Sequence, residues 1–174
     1  MKTSKLFLAM LFFASLCSFA QAQSIDDMVK DWERAKAFTK EYLDAMPDAS
    51  YSLKPTPEMR TFADQMLHLT DGLYGFISAA TGATPTAMGL EKNTTDKSKA
   101  NVTKLVMDGY DFVINNVKKM NPASLGEQTK VFGQFDMTRG AAIAKAFEHQ
   151  THHRGQTTVY IRLAKGTPPN EKLF

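Results

Sequence analysis

Four stretches of this chain repeat apolar side chains at steps of three and four residues. That spacing constrains the fold more than any other feature, because such residues share one face of an α-helix and would split between the two faces of a strand. The first stretch runs from about residue 24 to 46 and aligns Met28, Trp32, Ala35, Phe38, Tyr42 and Met46. Ser24 suits its cap, and Asp26 and Asp27 fall in the first turn, where the helix dipole favours negative charge. The second spans about 56 to 80, opening at Thr56-Pro57-Glu58 and carrying Met59, Phe62, Met66, Leu69, Leu73 and Phe76. Gly72 and Gly75 either weaken this helix or allow a close approach. The third, about 95 to 120, aligns Val102, Leu105, Val106, Gly109, Phe112, Val113 and Val117. The fourth is capped by Thr138 and reaches about Ala164, where Gly166 and Pro168-Pro169 end it. Residues 81–94 read as a loop. Residues 123–137 are ambiguous, with Lys130 to Phe135 suited to a short extended piece. Four amphipathic helices in one small domain predict an all-α fold, an antiparallel four-helix bundle.

The first 22 residues read as a cleaved secretory signal peptide rather than part of that bundle. Lys2 and Lys5 make the positive start, Leu6 to Ala20 the apolar run, and Ala20-Gln21-Ala22 the cleavage site. The run is too short, and too broken by Ser15 and Ser18, for a spanning helix. Cys17 lacks the small and aliphatic neighbours of a lipoprotein signal. Of 174 residues, 152 remain after residue 22 as one domain, with no cysteine for a disulfide, thiolate ligand or nucleophile. Export without disulfides points to the bacterial periplasm or secretion. The remaining 19 basic and 18 acidic residues nearly cancel, which excludes nucleic-acid binding driven by charge. The apolar stripes are needed for the core, so no membrane association is expected after cleavage.

The histidines are the most informative residues. His149 and His153 are separated by one helical turn, which brings their side chains to within about 5–6 Å at Cβ on one face. His152 is rotated by roughly 100° from His153 and points elsewhere. A pair at this spacing holds a metal without backbone strain, and His68, in the second helix, is the remaining histidine that can complete a set of three. Three neutral imidazoles with open positions describe a catalytic rather than a structural site. Such ligands suit zinc, nickel, copper or iron. Buried neighbouring histidines would otherwise be costly, unless a wet polar pocket partners them.

The string from His149 to Gln156 (His-Gln-Thr-His-His-Arg-Gly-Gln), followed by Tyr160-Ile161-Arg162, resembles the C-terminal signature of the DinB-like, or damage-inducible-B, family, which includes the YfiT-like metal-dependent hydrolases. The stretch Gln65-Met66-Leu67-His68-Leu69-Thr70-Asp71 is similar to the part of the second helix where that family places a third histidine. Pro55 to Glu58 and the Gly166, Pro168-Pro169 ending look similar as well. The likeness covers nearly all of the chain after residue 22. It implies a four-helix bundle, often a homodimer, with a divalent metal on His68, His149 and His153; zinc and nickel are the foremost candidates.

Supporting groups follow from helical geometry. Asp64 and Asp71 lie four before and three after His68, within reach of its outer ring nitrogen. Gln156 stands three after His153 and can serve likewise, or meet a metal water. Tyr160 lies two turns beyond His153. Arg154 is a candidate for an anionic substrate, whereas Arg162 is expected in surface ion pairing and Glu148 diverges from His149. The primary functional expectation is a metal-dependent hydrolase acting on a small-molecule substrate. The alternatives are a metal-dependent thiol S-transferase or isomerase, which export disfavours, and a non-catalytic metal-binding bundle.

Overall fold

The computed structural model describes residues 23–172; the signal segment read in residues 1–22 lies outside the described residues. In chain order the elements are α1 (Ile25–Ala45), α2 (Phe62–Thr81), a single-turn α3 (Leu90–Asn93), α4 (Lys99–Val117), strands β1 (Gln128–Val131) and β2 (Phe135–Thr138), and α5 (Arg139–Leu163). The four long helices make the all-α bundle expected from the periodicity. α2 packs on α4 and α5, and α1 closes the bundle against the same two. α1 and α2 therefore face each other across the diagonal. Trp32, Leu43, Met66, Leu69, Tyr110, Tyr160 and Ile161 fill the interior with almost no solvent exposure.

Each long helix begins at a hydroxyl that accepts a backbone N–H of the first turn: Ser24 from Asp27 at 3.1 Å, Thr61 from Asp64 at 3.0 Å, Ser98 from Asn101 at 3.4 Å, and Thr138 from Ala141 at 3.1 Å. α1 and α5 start where the sequence placed them, but α2 starts at Thr61 rather than Thr56. The reason is that the chain folds back before the helix. The carbonyls of Leu53 and Tyr51 take the N–H groups of Phe62 and Ala63 at 3.0 and 2.9 Å, and Pro57 sits in the intervening turns. α4 likewise starts at Ser98, because Leu90–Asn93 spend the preceding segment on a helical turn of their own.

The ambiguous segment resolves into a 3-10 turn, Pro122–Gly126, and an antiparallel hairpin in which Val131 opposes Phe135. Phe132 and Gly133 make its turn with φ of 51° and 69°, the left-handed pair that matches strand twist. Thr129 Oγ1 donates to the Ala79 carbonyl at 2.6 Å, tying the hairpin to the end of α2.

One polar network crosses the core. The Tyr110 hydroxyl donates to Gln150 Oε1 at 2.9 Å, accepts from Thr39 at 2.7 Å, and shares that amide oxygen with Arg154 Nη1 at 2.8 Å. Gln150→Leu strands two buried donors, and about 1–3 kcal/mol of stability is expected to be lost. Chemical denaturation measures this; an unchanged midpoint would show that the network contributes nothing net.

Candidate metal centre

His68 lies midway along α2, while His149 and His153 lie one turn apart on α5, the helix packed most extensively against it. The ring centres are 5.4 Å apart for His68 and His149, 4.6 Å for His68 and His153, and 4.3 Å for His149 and His153. One nitrogen from each ring lies within 4.8 Å of the others. His152 is exposed on a different face of α5, its ring meeting His153 only edge-on.

The outer nitrogens are anchored. His68 Nδ1 lies 2.9 Å from Glu91 Oε2, so Nδ1–H donates to the carboxylate and Nε2 is the ring nitrogen left to face a ligand. Arg60 Nε donates to the other Glu91 oxygen at 2.8 Å. Burial alone would raise the Glu91 pKa; Arg60, then His68, more than offset it, and the carboxyl stays below its ordinary value. His153 Nδ1 lies 2.9 Å from the terminal amide of Gln65, which also contacts Gln156 Oε1. A half-turn of a terminal amide exchanges its oxygen and nitrogen. With oxygen toward Nδ1, His153 carries its proton there and frees Nε2, and Gln156 turns in concert. His149 is seated differently: its Nε2 is buried and has no hydrogen-bond partner. Gly72 makes that seat, because a Cβ there would lie 2.0 Å from His149 Nε2.

Burial first, then neighbouring imidazoles, pulls the His149 pKa down to about 4 and the His153 pKa to about 3. Both rings are therefore neutral at neutral pH, the form that ligates a metal. Three converging imidazoles, two of them held neutral by burial, an unpartnered buried ring nitrogen and a glycine cradle fit a divalent cation. The same shifts carry a stability consequence. The folded values lie below the ordinary 6.5, so the unfolded chain binds protons that the folded chain refuses. This contribution is fully present above about pH 6.5 and is lost as pH falls toward 4 and then 3. Metal-free protein is expected to lose denaturant resistance across that window more steeply than a His149→Gln, His153→Gln double variant. Parallel slopes would show that the fold does not hold these rings neutral.

Of the supporting residues expected from helical spacing, Gln156 reaches the site and the others stand elsewhere. Asp64 does not reach His68: it pairs with Lys97 and with the Thr61 cap. Asp71 does not reach it either, because its two oxygens accept the N–H groups of Leu90 and Glu91 at 2.7 and 2.9 Å, capping α3. It thereby holds Glu91, the carboxylate that does contact His68. Gln156 acts at the site through Gln65. Tyr160 is buried and donates to the Arg60 carbonyl at 3.0 Å, fixing the residue that holds Glu91. Arg154 turns away to α1, over the Phe38 ring at 4.6 Å, because one residue's rotation from His153 points it to another face. Glu148 is exposed beside Lys145, as its divergence from His149 implied. Glu91 was missed because residues 81–94 read as a loop, whereas Leu90–Asn93 form a single helical turn too short to show periodicity. Gln65 was missed because it reaches His153 across two helices, 88 residues away in sequence, where spacing along one helix gives no signal.

A helical bundle whose facing helices converge three imidazoles, two of them anchored from behind, belongs to the class of bundle proteins with a histidine cluster compatible with metal binding. The DinB family sequence pattern matches residues 20–172, and the chain belongs to the DinB family. It is 27% identical over 152 residues to the uncharacterized protein YrdA of Bacillus subtilis strain 168, covering 84% of this chain and 87% of YrdA. Among solved structures it is similar to a DinB-like protein of Bacillus cereus, with a TM-score of 0.71 at 24% identity, covering 87% of this chain and all of the other. A DinB-like protein of Bacillus subtilis, YjoA, gives 0.67 at 18%, covering 83% of this chain and 95% of the other. At these identities the two structures bear on the fold alone.

Proposed function

We propose that this protein is an exported hydrolase that works with one divalent metal, zinc or nickel, on His68, His149 and His153. One observation carries the reading: three imidazoles converge on one point, two of them oriented from behind by Glu91 and Gln65, and two of them border an open cavity. When bound, such an ion supplies Lewis acidity and an activated water near neutral pH. The chain's own residues do the positioning. Glu91 fixes the tautomer of His68, Gln65 orients His153, and Gly72 leaves room for His149. In the overall reaction, water adds its oxygen to the carbonyl carbon of an ester or amide, the bond to the leaving group breaks, and that group departs with a proton. Export rests on the residue 1–22 pattern; among the described residues no helix is long and apolar enough to cross a membrane.

Metal-loaded protein is assayed against ester and amide panels, and separately with small thiols plus electrophiles. Metal-dependent ester or amide cleavage supports the proposal. Thiol-dependent turnover without such cleavage moves the assignment to a transferase. N-terminal sequencing of protein from the periplasmic fraction checks the expected start at Gln23.

A further inference from the structure

We infer that the cavity beside the three histidines receives an apolar group of the substrate, of phenyl or branched-alkyl size, and that Phe132 sets this preference. The inference rests on the hydrolase reading and narrows its substrate class. The cavity encloses about 430 Å³ and is lined by His68 and His149 together with Phe76, Met88 and Phe132; the Phe76 ring lies 5.9 Å from that of His149. Small-molecule sites commonly span about 300–1,000 Å³. Its wall carboxylates are already committed. Asp71 accepts the N–H groups of Leu90 and Glu91, and Glu91 is held by Arg60 and His68. Lys92 stands at the exposed rim. What the wall offers a ligand, next to the imidazoles, is mainly apolar surface.

Two further observations point the same way. Met88 and Phe132 are 54% and 50% exposed, and large apolar side chains grouped at a cavity mouth mark a binding surface rather than a core. Phe132 also occupies a backbone conformation, φ 51°, that suits glycine or asparagine far better than a bulky residue. Its ring is nevertheless firmly placed. Gly75 leaves the notch for it, since a Cβ there would lie 2.1 Å from Phe132 Cε1, and Phe76 meets it edge-on at 5.0 Å. Strain of this kind concentrates where a side chain is held for contact with a ligand.

The test is calorimetric titration of the zinc-loaded full chain with acetohydroxamate and benzohydroxamate. Both chelators present the same oxygens to a metal, and only the second carries a phenyl ring. Benzohydroxamate is expected to bind about tenfold tighter or more. Phe132→Gly, which relieves the turn, and Met88→Ser, at the exposed rim, are each expected to bring that ratio toward one and to leave acetohydroxamate affinity unchanged. Should Phe132→Gly fail to fold, Met88→Ser decides. Equal affinities in the unsubstituted protein, or a ratio unmoved by the variants, overturn the apolar preference and leave the metal reading standing. If neither hydroxamate binds, both readings fall.

Discussion

Gly72→Ala is expected to abolish metal binding while leaving the bundle folded. A methyl group at this position would lie 2.0 Å from His149 Nε2, 2.4 Å from Cδ2 and 2.8 Å from Cε1. These are the outer atoms of a side chain, so the fold relieves the clash by turning the imidazole and not by parting α2 from α5. Stability then has two opposing terms. Alanine stabilises a helix interior over glycine by about 0.5–1 kcal/mol. The displaced ring loses some of its packing, and the two changes roughly cancel. Metal affinity has no such offset, because the ligand nitrogen has left the converging set. Equilibrium dialysis with elemental analysis, read beside a thermal melt, separates the two properties. A Gly72→Ala protein that melts normally and still binds stoichiometric metal would show that His149 is not a ligand in the orientation described.

Glu91→Gln is expected to weaken metal affinity by about 10- to 100-fold, the usual cost of removing the group behind a ligating histidine. Glutamine keeps the volume and one acceptor for His68 Nδ1–H, so the loss reports the charge. It also leaves Arg60, whose Nη2 lies 3.3 Å from His68 Nδ1, without the carboxylate that now engages it at 2.8 Å. A cation released beside an imidazole disfavours a second cation at that ring. Asp71→Asn is expected to act in the same direction more weakly, by loosening α3. Competition with a chelator of known affinity measures both. Unchanged affinity in Glu91→Gln would mean that His68 needs no carboxylate behind it.

The helices were legible because burial imposes a period that the sequence keeps. Trp32, Ala35, Phe38 and Tyr42 fall on the buried face of α1 as their spacing required. Likewise His149 and His153 share a face by spacing alone. The start of α2 was not legible. Thr56-Pro57 and Thr61 both suit a helix start, and long-range bonds from Tyr51 and Leu53 decide for Thr61. Neither were the groups behind the histidines. Asp64 and Asp71 satisfy the spacing, but Lys97 and the first-turn N–H groups of α3 claim them first. Glu91 reaches His68 from the single-turn α3, 23 residues away in sequence, a contact set by tertiary folding rather than by any local pattern. Phe132 shows the same limit, since its notch at Gly75 comes from a hairpin packed against a distant helix.

The central claim is that His68, His149 and His153 together hold one divalent ion. Elemental analysis of the purified protein beside the single alanine variants of these three residues, with His152→Ala as the neighbour on another face, tests it most directly. The geometry predicts about one equivalent of metal in the unsubstituted protein and in His152→Ala, and its loss in each of the other three variants. Metal retained in all three would contradict the site.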